Sequence, residues 1–253
     1  MRTIRLFAAA AVLTPLTLQA QITASWNLPA SCATNAATGS FGSASVQVAT
    51  TAGQINSVQN AAGTWCTDNS NSPFKKVGTE GSYWTQFGGT PSNAYGSFAP
   101  TNMSMVQLVN EATGKITFSE AVIDPWIVLT SIGNTDQLGV GVGVTYTFSD
   151  PFLVASNNSS FANRAYWDDW VTPGRAPSFV QNGNAITGRE FSGVLQFTGT
   201  FTDLSFSTTG AENWHGFTVG AARLSTVPEP STYALMGAGL LALGVVARRR
   251  RRA

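Results

Sequence analysis

The chain has little of what most enzymes use. Of its 253 residues one is histidine, two are cysteine, and only 11% are charged. A single imidazole, His215, excludes His-rich zinc sites and the HExxH helix, which needs two histidines one turn apart. A Ser-His-Asp triad would have to run through that residue, and no GxSxG turn stands anywhere to present a nucleophile to it. His215 lies in the polar stretch 212–217, at the entry to a β run, and reads as a structural or solvent-facing side chain. No segment between residues 21 and 227 sustains an apolar period of 3.6, so the body is not built from amphipathic helices. EF-hand-like repeats are missing as well.

Positive charge is scarce where it would matter for nucleic acid. The formal charge of the whole chain is +1, but seven of the fourteen basic residues are Arg2, Arg5 and Arg248, Arg249, Arg250, Arg251 and Arg252. Between residues 21 and 227 seven bases face twelve acids, a formal charge of −5. That body has no Lys or Arg cluster to replace counterions, which excludes nucleic acid and anionic membrane surfaces as its partners.

The two ends carry what the body lacks. Arg2 and Arg5 precede the apolar run 6–18, and Leu18-Gln19-Ala20 places a small residue at a cleavage position. This is the layout of a secretory signal peptide over residues 1–20, removed after Ala20. An exported chain meets an oxidising compartment, so Cys32 and Cys66 are expected to form a disulfide, stabilising by roughly 3–4 kcal/mol in the chain-entropy model. At the other end residues 231–247 contain no charge. As a helix rising about 1.5 Å per residue they would span roughly 25 Å, just enough for a bilayer. Arg248 to Arg252 follow at once and stay on the cytoplasmic side, which puts everything before Pro228 outside the cytoplasm. Gly237, Gly239 and Gly244 offer small surfaces for close helix packing.

Pro228, Glu229 and Pro230, then an apolar helix, then Arg248 to Arg252 at the C-terminus: this order resembles the PEP-CTERM sorting signal of Gram-negative bacterial surface proteins. The resemblance implies recognition by an exosortase, a cut near Pro-Glu-Pro, and release of the body to the cell envelope or the extracellular polysaccharide. A plain C-terminal anchor would instead leave a permanently membrane-held protein facing the periplasm.

Residues 21–227 suffice for one domain. Runs of β-branched and aromatic residues between turn-forming clusters predict strands at 82–87, 103–109, 115–118, 126–132, 140–148, 190–197, 204–207 and 217–224, with weaker ones at 46–49 and 152–155. The expected fold is all-β, a single antiparallel β-sandwich of jelly-roll type. In 142–148 the even positions are apolar and should face the core, whereas 126–129 is continuously apolar, entered through Asp124-Pro125, and should be buried on both faces. Residues 32–64 are rich in small side chains and are expected to bury little, as edge strands or loops. Stretches 156–163 and 173–184 read as long surface loops. Residues 116–133 also resemble a strand, turn, strand signature of bacterial secreted β-sandwich modules, which bears on fold only.

Tyr166, Trp167, Asp168, Asp169 and Trp170 put acids among aromatics. Flat rings suit the C–H face of a sugar and the carboxylates its hydroxyls, so these residues, with nearby Asn163, are the candidate carbohydrate-binding group; core packing of the tryptophans is the competing assignment. The same two carboxylates would serve an exported carbohydrate-active enzyme if a second acid stood across a glycosidic bond. Asn134, Asp136, Asp150 and Asp168 are hard oxygen donors for a structural calcium; no other cofactor is expected. The sequence thus reads as a non-enzymatic exported surface or matrix protein. Its expected partners are an exosortase, the membrane before processing, and extracellular polysaccharide.

Overall fold

The computed structural model describes residues 21–66, 94–133, 143–157, 178–189, 191–210, 212 and 215–225, with 239, 240 and 248 of the tail. The signal sequence, the strand expected at 82–87, and Tyr166 to Trp170 lie outside the described residues, as do Asn134, Asp136, Asn163, Asp168, Pro228 to Pro230 and Arg249 to Arg252. Twelve strands follow in order: β1 Ile22–Thr23, β2 Ser25–Trp26, β3 Ala36–Phe41, β4 Ala44–Gln59, β5 Met105–Ile132, β6 Val144–Phe148, β7 Leu153–Asn157, β8 Ser178–Asn182, β9 Ala185–Arg189, β10 Phe191–Gln196, β11 Thr200–Thr209 and β12 His215–Leu224. A 3₁₀ turn, Gly96–Phe98, precedes β5. All twelve strands belong to one antiparallel sheet.

The sheet is bent because its two longest strands are bent. β4 pairs with β5 first as Val46 to Thr50 opposite Phe118 to Gly114, then as Gln54 to Gln59 opposite Val109 to Met105, with register shifts between the two runs. At that break Gly53 has φ 73° and Asn110 has φ 54°. Both occupy the left-handed region, open to glycine and tolerated by asparagine. A Cβ at Gly53 would stand 2.2 Å from the Glu111 carbonyl oxygen, so the two strands cross the bend in contact. β5 turns back at Asp124, φ 47°, whose carboxylate accepts a hydrogen bond from Gly199 N at 2.8 Å.

Two leaves result. The first runs β2, β3, the early part of β4, the middle of β5, β11, β6, β9, β8. In the second, β12 lies between two parts of β5: Gly216 is opposite both Gln107 and Thr130, and Phe217 opposite both Val106 and Leu129. Within each of these runs numbering rises in β12 as it falls in β5, so both contacts are antiparallel, although the later half of β12 meets the later half of β5. β10 pairs with the last part of β5, and β7 with β10. Val48, Ile116, Phe148 and Phe206 of the first leaf share one core with Ile127, Leu129, Leu195 and Val219 of the second.

Burial follows the leaves. In the first, β6 buries Val144, Tyr146 and Phe148 and leaves Thr145 and Thr147 half-exposed, as the alternation predicts. In the second, every residue from Trp126 to Ile132 is buried. Its outer face is covered by a smaller cluster in which Trp65, Ala94 and Tyr95 pack with Met105, Trp126, Val128 and Val194. Trp126 lies flat over β12 because residue 220 is glycine: a Cβ there would fall 2.2 Å from Trp126 Nε1.

Two expectations need correction. Residues 32–64 are no weak edge: β4 is sixteen residues long, lies inside the first leaf, and buries Val46, Val48, Ile55 and Val58. Its small residues alternate with valine, and pairing to β5 buries that valine face whatever the mean composition. Likewise 173–184 is not all loop, because β8 and the start of β9 form a hairpin across Gly183 and Asn184.

Candidate functional site

The register places two different groups of residues at opposite ends of the body. At one end β1 lies beside β12, with Ile22 opposite Ala221 and Thr23 opposite Gly220, and Ala24 N donates to Val219 O at 2.9 Å. β12 ends at Leu224, and Ser225 N still donates to Ala121 O at 2.6 Å. Gly42, in the turn between β3 and β4, packs against both Ile22 and Leu224. The residues that follow the expected signal cleavage and those that precede the tail therefore meet on one turn.

At the far end the bend of β5 is held by polar groups. His215, the first residue of β12, is fully buried. Its Nε2 lies 3.2 Å from Asn110 O and its Nδ1 2.5 Å from the Tyr146 hydroxyl. A carbonyl can only accept, so Nε2 carries the proton and Tyr146 O–H donates to Nδ1. Burial lowers the His215 pKa from 6.5 to about 4, against the opposing bond to Asn110 O, and so keeps the ring neutral. The Tyr146 phenol is pushed well above its ordinary value, first by burial and then by the charge of Glu212. Glu212 clasps the same bend: its carbonyl accepts from Asn110 N at 2.7 Å and its carboxylate from Gly133 N at 2.6 Å. The latch thus joins β5, β6, β12 and the residues before β12. It also corrects the solvent-facing alternative for His215, which is fully buried with both ring nitrogens engaged. Tyr146 and Asn110 were not singled out from sequence as its partners; an asparagine between two β runs, the residue most tolerant of positive φ after glycine, was the available signal.

Cys32 and Cys66 form the disulfide, with Cα atoms 5.4 Å apart. Cys66 N donates to Val58 O at 3.2 Å, and the neighbouring Trp65 bridges Gln59, so the bond fixes the chain that leaves β4 against the segment entering β3. Among the described residues no group of three or more His, Cys, Asp or Glu side chains can hold a metal. Asp150, which accepts from Ser149 Oγ at 2.6 Å, follows the end of β6 remote from Gly143. The segment bearing Asn134 and Asp136 returns to the fold at Gly143, so topology does not bring its foot beside Asp150. Of the candidate sugar-binding group, only the flanking strand ends, Asn157 and Ser178, are placed.

Comparison with known families concerns the stretch that follows β12. Residues 226–252 match the PEP-CTERM protein-sorting motif. The tail is a PEP-CTERM sorting signal. The match begins one residue after Ser225, the last residue that the sheet holds. A PEP-CTERM tail marks an exported protein sorted through an exosortase. No curated protein and no solved structure matches the chain. Among the described residues no helix is long and apolar enough to cross a membrane.

Proposed function

We propose that this chain is a non-enzymatic surface or extracellular-matrix protein: its tail is cut by an exosortase and its body is retained by extracellular polysaccharide. The observation that carries the reading is the PEP-CTERM match at 226–252, set directly behind the last strand of a folded body. The non-enzymatic part is supported by His215, whose two nitrogens are both engaged inside the core. The bent sheet, with two leaves on one core, is read as a β-sandwich of jelly-roll type. Retention is assigned to the stretch Tyr166 to Trp170, whose aromatics and carboxylates suit a sugar ring.

Mass spectrometry of the protein from cells with and without the exosortase tests processing. The expected result is loss of the arginine-bearing peptide only in cells that contain the enzyme; an intact tail on the mature protein overturns the reading. Retention is tested separately by electrophoresis of the purified body through gels cast with the producer's polysaccharide, where retarded mobility is expected.

A further inference from the structure

The first leaf ends on β8, which is built differently from the other border strands. Native sheets blunt their borders with charge, proline, bulges or brevity, because a row of unpaired N–H and C=O groups is a template for another strand. β1 and β2 are two residues long. β7, the border of the second leaf, is bulged: Ser156 is opposite Val194 and Val154 opposite Leu195, so Ala155 is passed over. β8 reads Ser-Phe-Val-Gln-Asn, with no charge and no proline, and pairs with β9 residue for residue, from Ser178 opposite Arg189 to Asn182 opposite Ala185. Gly183 and Asn184 make the turn, and φ 60° at Gly183 suits the first central position of a two-residue II′ turn. Such a turn closes on a hydrogen-bonded pair, here Asn182 with Ala185. Ser178, Val180 and Asn182 therefore direct their backbone groups at β9, while those of Phe179 and Gln181 point outward. No strand among the described residues takes them. Val180, in register with Thr187 and Thr145 on the outer face, is 69% exposed, the largest fraction among the described large apolar side chains.

We propose that β8 is a self-pairing border, on which β8 of a second copy of this chain adds antiparallel about a two-fold axis at Val180. The strand's own pattern selects this occupant. Two-fold pairing sets Ser178 opposite Asn182 of the second copy, Phe179 opposite Gln181, and Val180 opposite itself. Phe179 and Gln181 are the residues whose backbone groups point outward, so they meet twice as hydrogen-bonded pairs and form four hydrogen bonds. Val180 falls at the non-hydrogen-bonded position between them, where Cα atoms stand about 4.5 Å apart and side chains come closest. The two exposed valines cover each other there, and no charge of either sign is opposed. A slip by one residue would set outward groups against groups already bonded to β9, and a slip by two would leave one hydrogen-bonded pair within β8. The join makes the path from β2 to β8 continuous with its copy. Five residues bury less than the roughly 800 Å² per partner of a stable complex, so the pair separates on dilution and forms where sorting crowds copies at one surface.

Disulfide cross-linking reads the register directly. Cys32 and Cys66 are bonded to each other, so an introduced cysteine is a unique thiol. Val180, Ser178, Asn182 and Leu153 are all exposed and can be replaced without touching the core. Full-length chains carrying one cysteine each are exported in producing cells, treated with a mild oxidant and run on non-reducing gels. Val180→Cys should give a disulfide-linked dimer as its main species, because this position meets itself. Ser178→Cys alone and Asn182→Cys alone should cross-link at least about tenfold less, since each lies four residues, about 13 Å, from its own copy. Expressed together, those two variants should cross-link to each other. Leu153→Cys, on the bulged border and 66% exposed, should stay monomeric like the single end variants. Absence of a Val180→Cys dimer overturns the proposal. So does equal cross-linking of all the single variants, which would assign association to general apolar contact or to the tail.

Discussion

Protonating His215 in the folded body would put a charge where Tyr146 and the Asn110 carbonyl already occupy both ring nitrogens. Its folded pKa, about 4, lies below the ordinary 6.5, so on acidification the unfolded chain takes the proton first. Stability from this group is complete above about pH 6.5, declines as pH falls toward 4, and then levels, for a total loss of about 3 kcal/mol. Urea midpoints between pH 7.5 and 4 measure it, and His215→Gln should remove this part of the pH dependence. The same variant should cost about 1–3 kcal/mol at neutral pH, because it disturbs a buried hydrogen-bond pair. Replacing Cys32 and Cys66 together by serine should cost about 3–4 kcal/mol, read from the shift in thermal or urea midpoint.

Among the elements, β4 and β5 carry the architecture. β4 buries its even positions from Ala44 to Thr50 before its bend, and Ile55, Ser57, Val58 and Gln59 after it. Ile55 and Val58 reach the same core as Val46 and Val48 because the irregular stretch around Gly53 carries β4 from one leaf to the other. Gly53→Ala should therefore destabilise by well over about 1 kcal/mol, since φ 73° and the Glu111 carbonyl both oppose a side chain. Asn110→Gly, which keeps positive φ accessible, should cost a few tenths to about 1 kcal/mol by calorimetry. Only residues 46–49 of β4 were legible in sequence, as a weak strand. Composition over 32–64 averages an alternating stretch, 44–50, with an irregular one, 51–59, and so hides the first. By contrast 126–132 and 144–148 were readable, one because both of its faces are covered and the other because a single face is. β1 and β2, two residues each, carry no periodicity at all and exist through their partners.

For the whole molecule, the fold ends where the sorting signal starts. A body cut after Ser225 keeps every strand and should match the tail-bearing protein within about 0.5 kcal/mol. A body cut after Gly220 loses Ala221, which pairs with Ile22, and the strand that pairs with β5 from Pro125 to Val122; it should show no cooperative unfolding by circular dichroism. Destination and fold class were legible because the tail is a contiguous motif and strand patterns are local. The latch was not, since Asn110, Tyr146 and His215 are distant in sequence and meet only through the bend of β5.

β12 lies between two parts of one strand and leads directly into the tail. A pull on the tail against a load at the far end acts along β12, across hydrogen bonds that lie perpendicular to the force. Those bonds must shear together, whereas an edge strand peeled from its end releases them singly. The strand that leads into the sorting signal is thus held so that it must be sheared out of the sheet and cannot be peeled from an edge.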